Sequence, residues 1–276
     1  MTRTRSGRRA EALHDHRAAL QGARILLVED NAINQELAVD LLGRAGVVVS
    51  VASNGEEALE VLARERFDAV LMDCQMPVMD GYAATQALRQ RPSLRTLPVI
   101  AMTANAMVGD REAVLAVGMN DHIAKPIVVA EMFATLAKWV KPSRLPGSGN
   151  GSAHPDNSFE SSDIDTHRGL ANTGGNDAFY RRLLRMFQKQ ETDFAQRFGA
   201  ARAAGDTTTA LRAAHDLKSA AGTLGMHQLH DAAAELEQAC AEGAHDTSID
   251  DVVRKVSKRL EEVIDGLRAF DGAGVS

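Results

Sequence analysis

An aspartate and a histidine in this chain each lie in a segment suited to accept a phosphoryl group. Asp73 follows the apolar run Phe67–Met72, which has the character of a buried strand. His215 lies in the segment His215–Ser219, inside a stretch with helical periodicity. The two residues therefore belong to domains of different construction. A carboxylate acceptor and an imidazole acceptor on one chain are what a relay of phosphoryl groups needs.

Polar residues also end three further apolar runs in the N-terminal half. The four strand ends carry Glu29 and Asp30, Asp73, Thr103, and Lys125–Pro126. In an open α/β sheet, ligands bind beyond the carboxyl ends of the strands. Three carboxylates there would repel one another unless a hard cation joined them, and oxygen ligands favour Mg²⁺. A hydroxyl and an ammonium facing that cluster would bind an incoming phosphoryl group.

The residues between 24 and 141 predict a doubly wound α/β domain. Short apolar runs alternate there with amphipathic stretches in five strand–helix units. Strands that are apolar along almost their whole length indicate a parallel sheet covered by helices on both faces. The acidic residues would then share one edge of this sheet.

The rest of the chain differs in composition. Residues 142–162 are rich in Gly, Ser, Asn and Pro, which predicts a flexible linker. Beyond it the periodicity is helical and predicts an antiparallel bundle over residues 163–272, with a tail at 273–276. Its long helices are expected at about Asp177–Ala204, Thr208–Leu224, Gln228–Ala241 and Asp250–Phe270. Residues 1–22, which carry five arginines, are predicted to form a basic flexible arm.

The helical spacing around His215 separates it from the core of the bundle. Leucines and alanines form one apolar stripe, whereas His215, Lys218, Ser219 and Gly222 fall together on another face. A glycine inside a helix costs about 1 kcal/mol relative to alanine. We expect its missing side chain to let a partner approach the imidazole closely. Lys218, one turn further on, can offset the charge of a phosphate.

Residues 24–141 resemble response-regulator receiver domains, and Leu71–Gly81 is very similar to the phosphorylation segment of that family. The resemblance implies a flavodoxin-like (βα)5 parallel-sheet fold and an acyl phosphate on Asp73. It also implies roles for other positions: Mg²⁺ held by Glu29, Asp30, Asp73 and the backbone carbonyl of Gln75, phosphoryl contacts from Thr103 and Lys125, and a conformational switch at His122, where the family usually has Tyr or Phe.

The segment His215–Gly225 resembles the signature of histidine phosphotransfer (HPt) domains, which are helical bundles. The resemblance covers about residues 163–272. It implies an exposed acceptor histidine in the middle of a helix, phosphorylated on a ring nitrogen of His215. Lys218 and Ser219 would support the phosphohistidine.

Together the two resemblances predict an intermediate of a two-component phosphorelay. Asp73 would accept a phosphoryl group from the phosphohistidine of an upstream histidine kinase, and His215 would carry it to a downstream response-regulator receiver domain. Two alternatives remain open: the C-terminal portion of a hybrid sensor histidine kinase, and a phosphate sink or interaction module that does not relay. An aspartate-nucleophile phosphatase is disfavoured because Gln75, rather than an acid, follows Asp73 by two positions.

Composition and missing motifs exclude several other classes of protein. The net charge is −6, and neither folded half has the basic face of a nucleic-acid-binding domain. No apolar run approaches the roughly 20 residues that span a bilayer. Two distant cysteines suit a reducing cytoplasm, where we expect the protein to act. Without glycine-rich ATP-binding segments, this chain is not expected to phosphorylate itself from ATP.

Overall fold

The computed structural model describes residues 5–104, 108–140, 164–243 and 246–273, and the chain divides into two compact units. The first unit, within residues 1–153, contains a five-stranded parallel sheet flanked by helices. The second, within residues 154–276, is helical. The predicted fold class is therefore confirmed: a flavodoxin-like sheet is followed by a helical bundle.

The first unit begins with a helix and continues with five alternating strands and helices. Its elements are α1 (Arg5–Ala19), β1 (Arg24–Val28), α2 (Ala32–Gly43), β2 (Val48–Ala52), α3 (Gly55–Arg64), β3 (Ala69–Asp73), α4 (Gly81–Gln90), β4 (Val99–Thr103), α5 (Val108–Ala116), β5 (Asp121–Ala124) and α6 (Val129–Trp139).

The strand order β2-β1-β3-β4-β5 places the acidic strand ends at one crevice. Every residue of β3 and β4 is buried, as expected for a parallel sheet covered on both faces. The chain moves from β1 outward to β2 and then crosses to β3 on the other side of β1. The direction of winding therefore changes between β1 and β3, and a ligand crevice opens there.

Local interactions determine where three helices of this unit begin. Asn31, Asn54 and Asp80 cap α2, α3 and α4 by accepting hydrogen bonds from backbone N–H groups of the first turn. Gly81 starts α4 against the end of β3. A Cβ atom at this position would lie 2.1 Å from the backbone oxygen of Asp73, so only glycine allows the helix to approach the strand this closely.

Helix α1 corrects the prediction of a flexible arm at residues 1–22 from residue 5 onward, and residues 1–4 lie outside the described residues. Residues Arg5–Ala19 are helical and pack against α6, and the following Leu20 is fully buried. The guanidinium of Arg17 lies 4.9 Å from the centroid of the Phe133 ring. The prediction was wrong because the many charges of this segment obscured its amphipathic character. The aliphatic part of an arginine side chain can cover apolar surface although its guanidinium is charged.

The second unit consists of six helices within the described residues. They are α7 (Thr166–Asn172), α8 (Asp177–Glu191), α9 (Phe194–Ala203), α10 (Thr207–Leu224), α11 (His227–Ala241) and α12 (Asp246–Ala273). The single helix expected at Asp177–Ala204 is divided at Thr192. The hydroxyl of Thr192 donates a hydrogen bond to the backbone carbonyl of Gln188 at 2.5 Å. This side-chain bond competes with the backbone hydrogen bonds that would continue the helix.

Helix α10, which carries His215, is anchored at its C-terminal end. Gly225 follows in the left-handed conformation with φ 81°, as a C-terminal cap often does. Tyr180 and Asn172 donate hydrogen bonds to the last carbonyls, those of Leu224 at 2.8 Å and Thr223 at 2.9 Å. These contacts hold the C-terminal end of α10 against α7 and α8.

The predicted linker at 142–162 and residues 274–276 of the predicted tail lie outside the described residues. Among the helices of the described ranges, none is both long enough and apolar enough to cross a membrane.

Candidate functional site

Three carboxylates meet beyond the carboxyl ends of β1 and β3. Glu29 and Asp30 directly follow β1, and Asp73 is the last residue of β3. The register pairs Val28 with Met72, so the acidic residues of the two strands follow at the same level. One oxygen from each carboxylate lies within 4.8 Å of the others. The structure thus brings together three of the four residues expected to bind Mg²⁺.

The ammonium of Lys125 lies inside this cluster. Its Nζ is 2.7 Å from Oδ2 of Asp73 and 2.7 Å from Oε2 of Glu29, and the side chain is only 8% exposed. Burial alone would lower the pKa of Lys125, but the attraction of the two carboxylates raises it above its ordinary value. Lys125 is therefore a buried cation that offsets part of the acidic charge.

The two oxygens of Glu29 have different surroundings. Oε1 accepts hydrogen bonds from the backbone N–H of Asn31 at 3.3 Å and from the side-chain amide of Asn34 at 3.1 Å. Oε2 is buried beside Lys125 but accepts no well-directed hydrogen bond from the described residues. Burial raises the pKa of Glu29, and the charge of Lys125 opposes this. A buried carboxylate oxygen that contacts one ammonium and belongs to a group of three carboxylates fits a hard divalent cation.

The acceptor candidate Asp73 is 2% exposed and is held at both oxygens. Oδ1 accepts the backbone N–H of Gln75 at 3.1 Å, and Oδ2 accepts the ammonium of Lys125. Thr103 ends the adjacent strand β4, one residue beyond the partner of Asp73 in the register, and is buried. The role predicted for the backbone carbonyl of Gln75 remains a prediction.

His122 lies on β5, three residues before Lys125, with 23% of its side chain exposed. Its Nδ1 is buried, is 3.9 Å from Oδ1 of Asp121 and forms no hydrogen bond within the described ranges. It is therefore outside the acidic cluster itself, and its role as a switch remains a prediction.

His215 on α10 is not the exposed imidazole that the sequence predicted. The residue is only 6% exposed, so that expectation was wrong. Nδ1 lies 2.6 Å from Oε1 of Glu237 on α11, and the ammonium of Lys218 contacts the other oxygen of the same carboxylate. Packing of α11 against α10 covers the imidazole on this side.

Glu237 joins the two residues that were predicted to act together. Partial burial acts to raise its pKa, but hydrogen bonds from His215 and Lys218 lower the pKa of Glu237 below its ordinary value. The carboxylate is thus ionised beside the imidazole. Sequence reasoning missed this residue because it lies 22 positions from His215, on another helix.

Gly222 has a different role from the one expected. A Cβ atom at Gly222 would lie 2.9 Å from Cδ2 of His230, so the missing side chain makes room for a histidine of α11. Packing of α11 against α10 thus gives Gly222 a role inside the bundle, and the approach of a partner to His215 at this position remains a prediction. Ser219 is half-buried beside Lys218.

Two family models match the chain. Residues 25–137 match the response regulator receiver domain, and residues 182–270 match the Hpt domain. The matched ranges contain the acidic cluster and the His215 site respectively.

Several known proteins with similar sequences are sensor histidine kinases. Sensor histidine kinase GacS of Pseudomonas protegens is 34% identical over 226 residues, which is 80% of this chain and 25% of the relative. Sensor histidine kinase RcsC of Escherichia coli is 41% identical over 123 residues, or 44% of this chain and 13% of the relative. The chain thus spans a quarter or less of the length of these relatives.

One similar solved structure is the receiver domain of a sensor histidine kinase of Pseudomonas aeruginosa, described with a magnesium ion coordinated in its active-site cleft. It is 47% identical and covers 43% of this chain and 97% of its own, with a TM-score of 0.41.

Proposed function

Residues 25–137 are a response regulator receiver domain and residues 182–270 an Hpt domain, so the chain is a phosphorelay module, and we propose that Asp73 and His215 are its two phosphoryl acceptors. The observation that carries this proposal is the contact of Lys125 with both Asp73 and Glu29, which places a cation beside the carboxylate that would become phosphorylated. The boundaries that we propose are 23–141 for the receiver and 163–272 for the Hpt domain.

In the first step, an oxygen of Asp73 forms a bond to phosphorus while the P–N bond of an upstream phosphohistidine breaks. The bonding electrons return to the donor imidazole, and Asp73 becomes an acyl phosphate. Lys125 and the hydroxyl of Thr103 would bind the phosphoryl oxygens. Mg²⁺, held by Glu29, Asp30, Asp73 and the carbonyl of Gln75, would neutralise charge on the phosphoryl group.

In the second step, a ring nitrogen of His215 attacks an aspartyl phosphate. The new N–P bond forms as the O–P bond breaks, and the aspartate returns to a carboxylate. Glu237 occupies Nδ1, which leaves Nε2 as the nucleophile. The ring becomes positively charged during this attack, and the carboxylate of Glu237 stabilises that charge. Lys218 and Ser219 would contact the phosphoryl group on the histidine.

The proposed partners follow from these two steps. A histidine kinase would donate to Asp73, and similarity to sensor histidine kinases supports this class of donor. The receiver domain of a separate response regulator would accept from His215. We further propose that phosphorylation of Asp73 shifts the receiver between two packings through Thr103 and His122.

Phosphate labelling of the full chain tests the two acceptors. The wild type, Asp73→Asn and His215→Gln are incubated with Mg²⁺ and acetyl phosphate, and the label is assigned by mass and by stability in acid and base. We expect a base-labile label at Asp73 that is absent in Asp73→Asn, and an acid-labile label at His215 that is absent in His215→Gln. Failure of Asp73 to label in the folded wild type would contradict the proposal.

An alternative is favoured by the 226-residue similarity to GacS, namely that the module works as part of a hybrid sensor kinase. A kinase core carrying a phosphohistidine then serves as donor in place of acetyl phosphate. If Asp73 receives the phosphoryl group only when the kinase core and the module are covalently joined, the result favours this alternative over a free intermediate.

A further inference from the structure

The first turn of α2 surrounds Glu29 with amide groups. Oε1 of Glu29 accepts the side-chain amide of Asn34 at 3.1 Å and the backbone N–H of Asn31 at 3.3 Å. The side-chain amide of Gln35 donates to the backbone carbonyl of Glu29 at 2.5 Å. Asn34 is itself 4% exposed, so its amide group is held inside the protein rather than by water.

These bonds leave the two carboxylate oxygens unequal. Because Oε1 is occupied by two donors, the carboxyl plane is fixed and Oε2 is left on the side of Lys125 and Asp73. Oε2 is buried and lies 2.7 Å from the ammonium of Lys125, which also contacts Asp73. A ligand oxygen for a hard cation needs this orientation, and a carboxylate free to rotate would lose it part of the time.

We propose that Asn34 is a positioning residue for the divalent-cation site: its amide holds Oε1 of Glu29 so that Oε2 faces the acidic cluster. The inference deepens the proposed function and rests on Mg²⁺ binding at Glu29, Asp30 and Asp73. Asn34 touches neither the cation nor the phosphoryl group in this scheme. It acts only through Glu29, as residues that orient metal ligands do.

The experiment measures Mg²⁺ binding to the full chain by isothermal titration calorimetry. Asn34→Leu removes the donor at similar volume. Asn31→Ser is the matched control, because it keeps both the backbone N–H to Glu29 and a capping oxygen for α2. We expect the Mg²⁺ dissociation constant of Asn34→Leu to rise about 10-fold and that of the control to stay near the wild-type value. Thermal unfolding without Mg²⁺ reports whether Asn34→Leu disturbs the fold. If it does, Asn34→Ala serves as the second variant.

A second readout separates positioning from general damage to the fold. Labelling of Asp73 by acetyl phosphate is followed as a function of Mg²⁺ concentration. A positioning role moves the midpoint about 10-fold to higher Mg²⁺ and leaves the plateau rate close to that of the wild type. A lowered plateau at an unchanged midpoint would contradict the inference.

The outcomes distinguish this inference from the function on which it rests. If the wild type binds no Mg²⁺, the metal site itself is wrong. If the wild type binds Mg²⁺ and the folded Asn34 variants bind it equally well, only the role of Asn34 is wrong.

Discussion

Nδ1 of His215 lies 2.6 Å from Oε1 of Glu237, a residue 22 positions further along the chain on the adjacent helix. The second oxygen of the same carboxylate contacts Lys218. One carboxylate therefore orients the imidazole and neutralises the lysine one turn away. Because Nδ1 is occupied, the geometry favours phosphorylation at Nε2.

We predict that Glu237→Gln slows phosphorylation of His215 by about 10-fold, since hydrogen bonds to charged groups contribute roughly 1.5–3 kcal/mol. The measurement uses phosphoramidate, a small donor to histidine, on chains that also carry Asp73→Asn. Glu235→Gln is the control, because Glu235 lies on the same helix but pairs with Lys255 at the surface. Equal rates for the two variants would refute a role for Glu237.

Removal of Lys125 should destabilise the receiver domain unless Mg²⁺ is present. Lys125→Met leaves two buried carboxylates without their cation, which costs about 3 kcal/mol in the free energy of unfolding. Mg²⁺ binds only the folded state and should recover part of this loss. Urea unfolding followed by fluorescence of Trp139, the single tryptophan of the chain, reports on this domain alone.

Arg64→Met is the control for that experiment, since Arg64 forms a surface ion pair with Glu60 and is 74% exposed. Its effect should stay within about 0.5 kcal/mol. A Lys125→Met variant as stable as this control, without Mg²⁺, would show that the buried ion pairs contribute little.

Val78, in the loop after Asp73, has φ 67° and is 74% exposed. The left-handed region costs an L-residue roughly 1–2 kcal/mol, and asparagine adopts it more readily than a β-branched residue. We therefore expect Val78→Asn to stabilise the receiver domain by about 1 kcal/mol in urea unfolding. Val48→Asn, at an exposed position of strand β2, should bring no gain. If Val78→Asn is less stable than the wild type, the backbone strain proposed at Val78 is contradicted.

Stability of the Hpt domain should depend on pH through Glu191. Burial raises the pKa of this carboxyl to about 7 from 4.5, although Arg197 opposes the shift. The folded state thus holds a proton that the unfolded state releases above pH 4.5. The contribution of Glu191 to the free energy of unfolding is therefore fully present below pH 4.5. It falls by about 3 kcal/mol as the pH rises from 4.5 through 7.

Hydrogen exchange of α8 peptides in the full chain, corrected for intrinsic rates, measures this dependence. Glu191→Gln should flatten the decline between pH 5 and about 7.5. Glu261→Gln, at an exposed position of α12, should leave it unchanged. The same decline in wild type and Glu191→Gln would assign the pH dependence to other groups.

The residues at the strand ends could be predicted from the sequence because the positions of the strands depend on local patterns. Apolar runs mark the strands, and topology brings their carboxyl ends together, so Glu29, Asp30, Asp73 and Lys125 could be placed at one crevice. The arm at residues 1–22 was misjudged, because whether a charged amphipathic segment folds depends on the surface available to it. Here that surface is α6, beneath Arg17.

The sequence by itself determined the fold class and the two domain families, and it supplied the two proposed acceptor residues, since periodicity and short motifs carry that information along the chain. Only the tertiary structure decided which side chains surround the proposed acceptors. Glu237 meets His215, and His230 fills the space at Gly222, because two antiparallel helices pack in one particular register. Such contacts join residues far apart in sequence, and their geometry is determined by packing rather than by any local pattern.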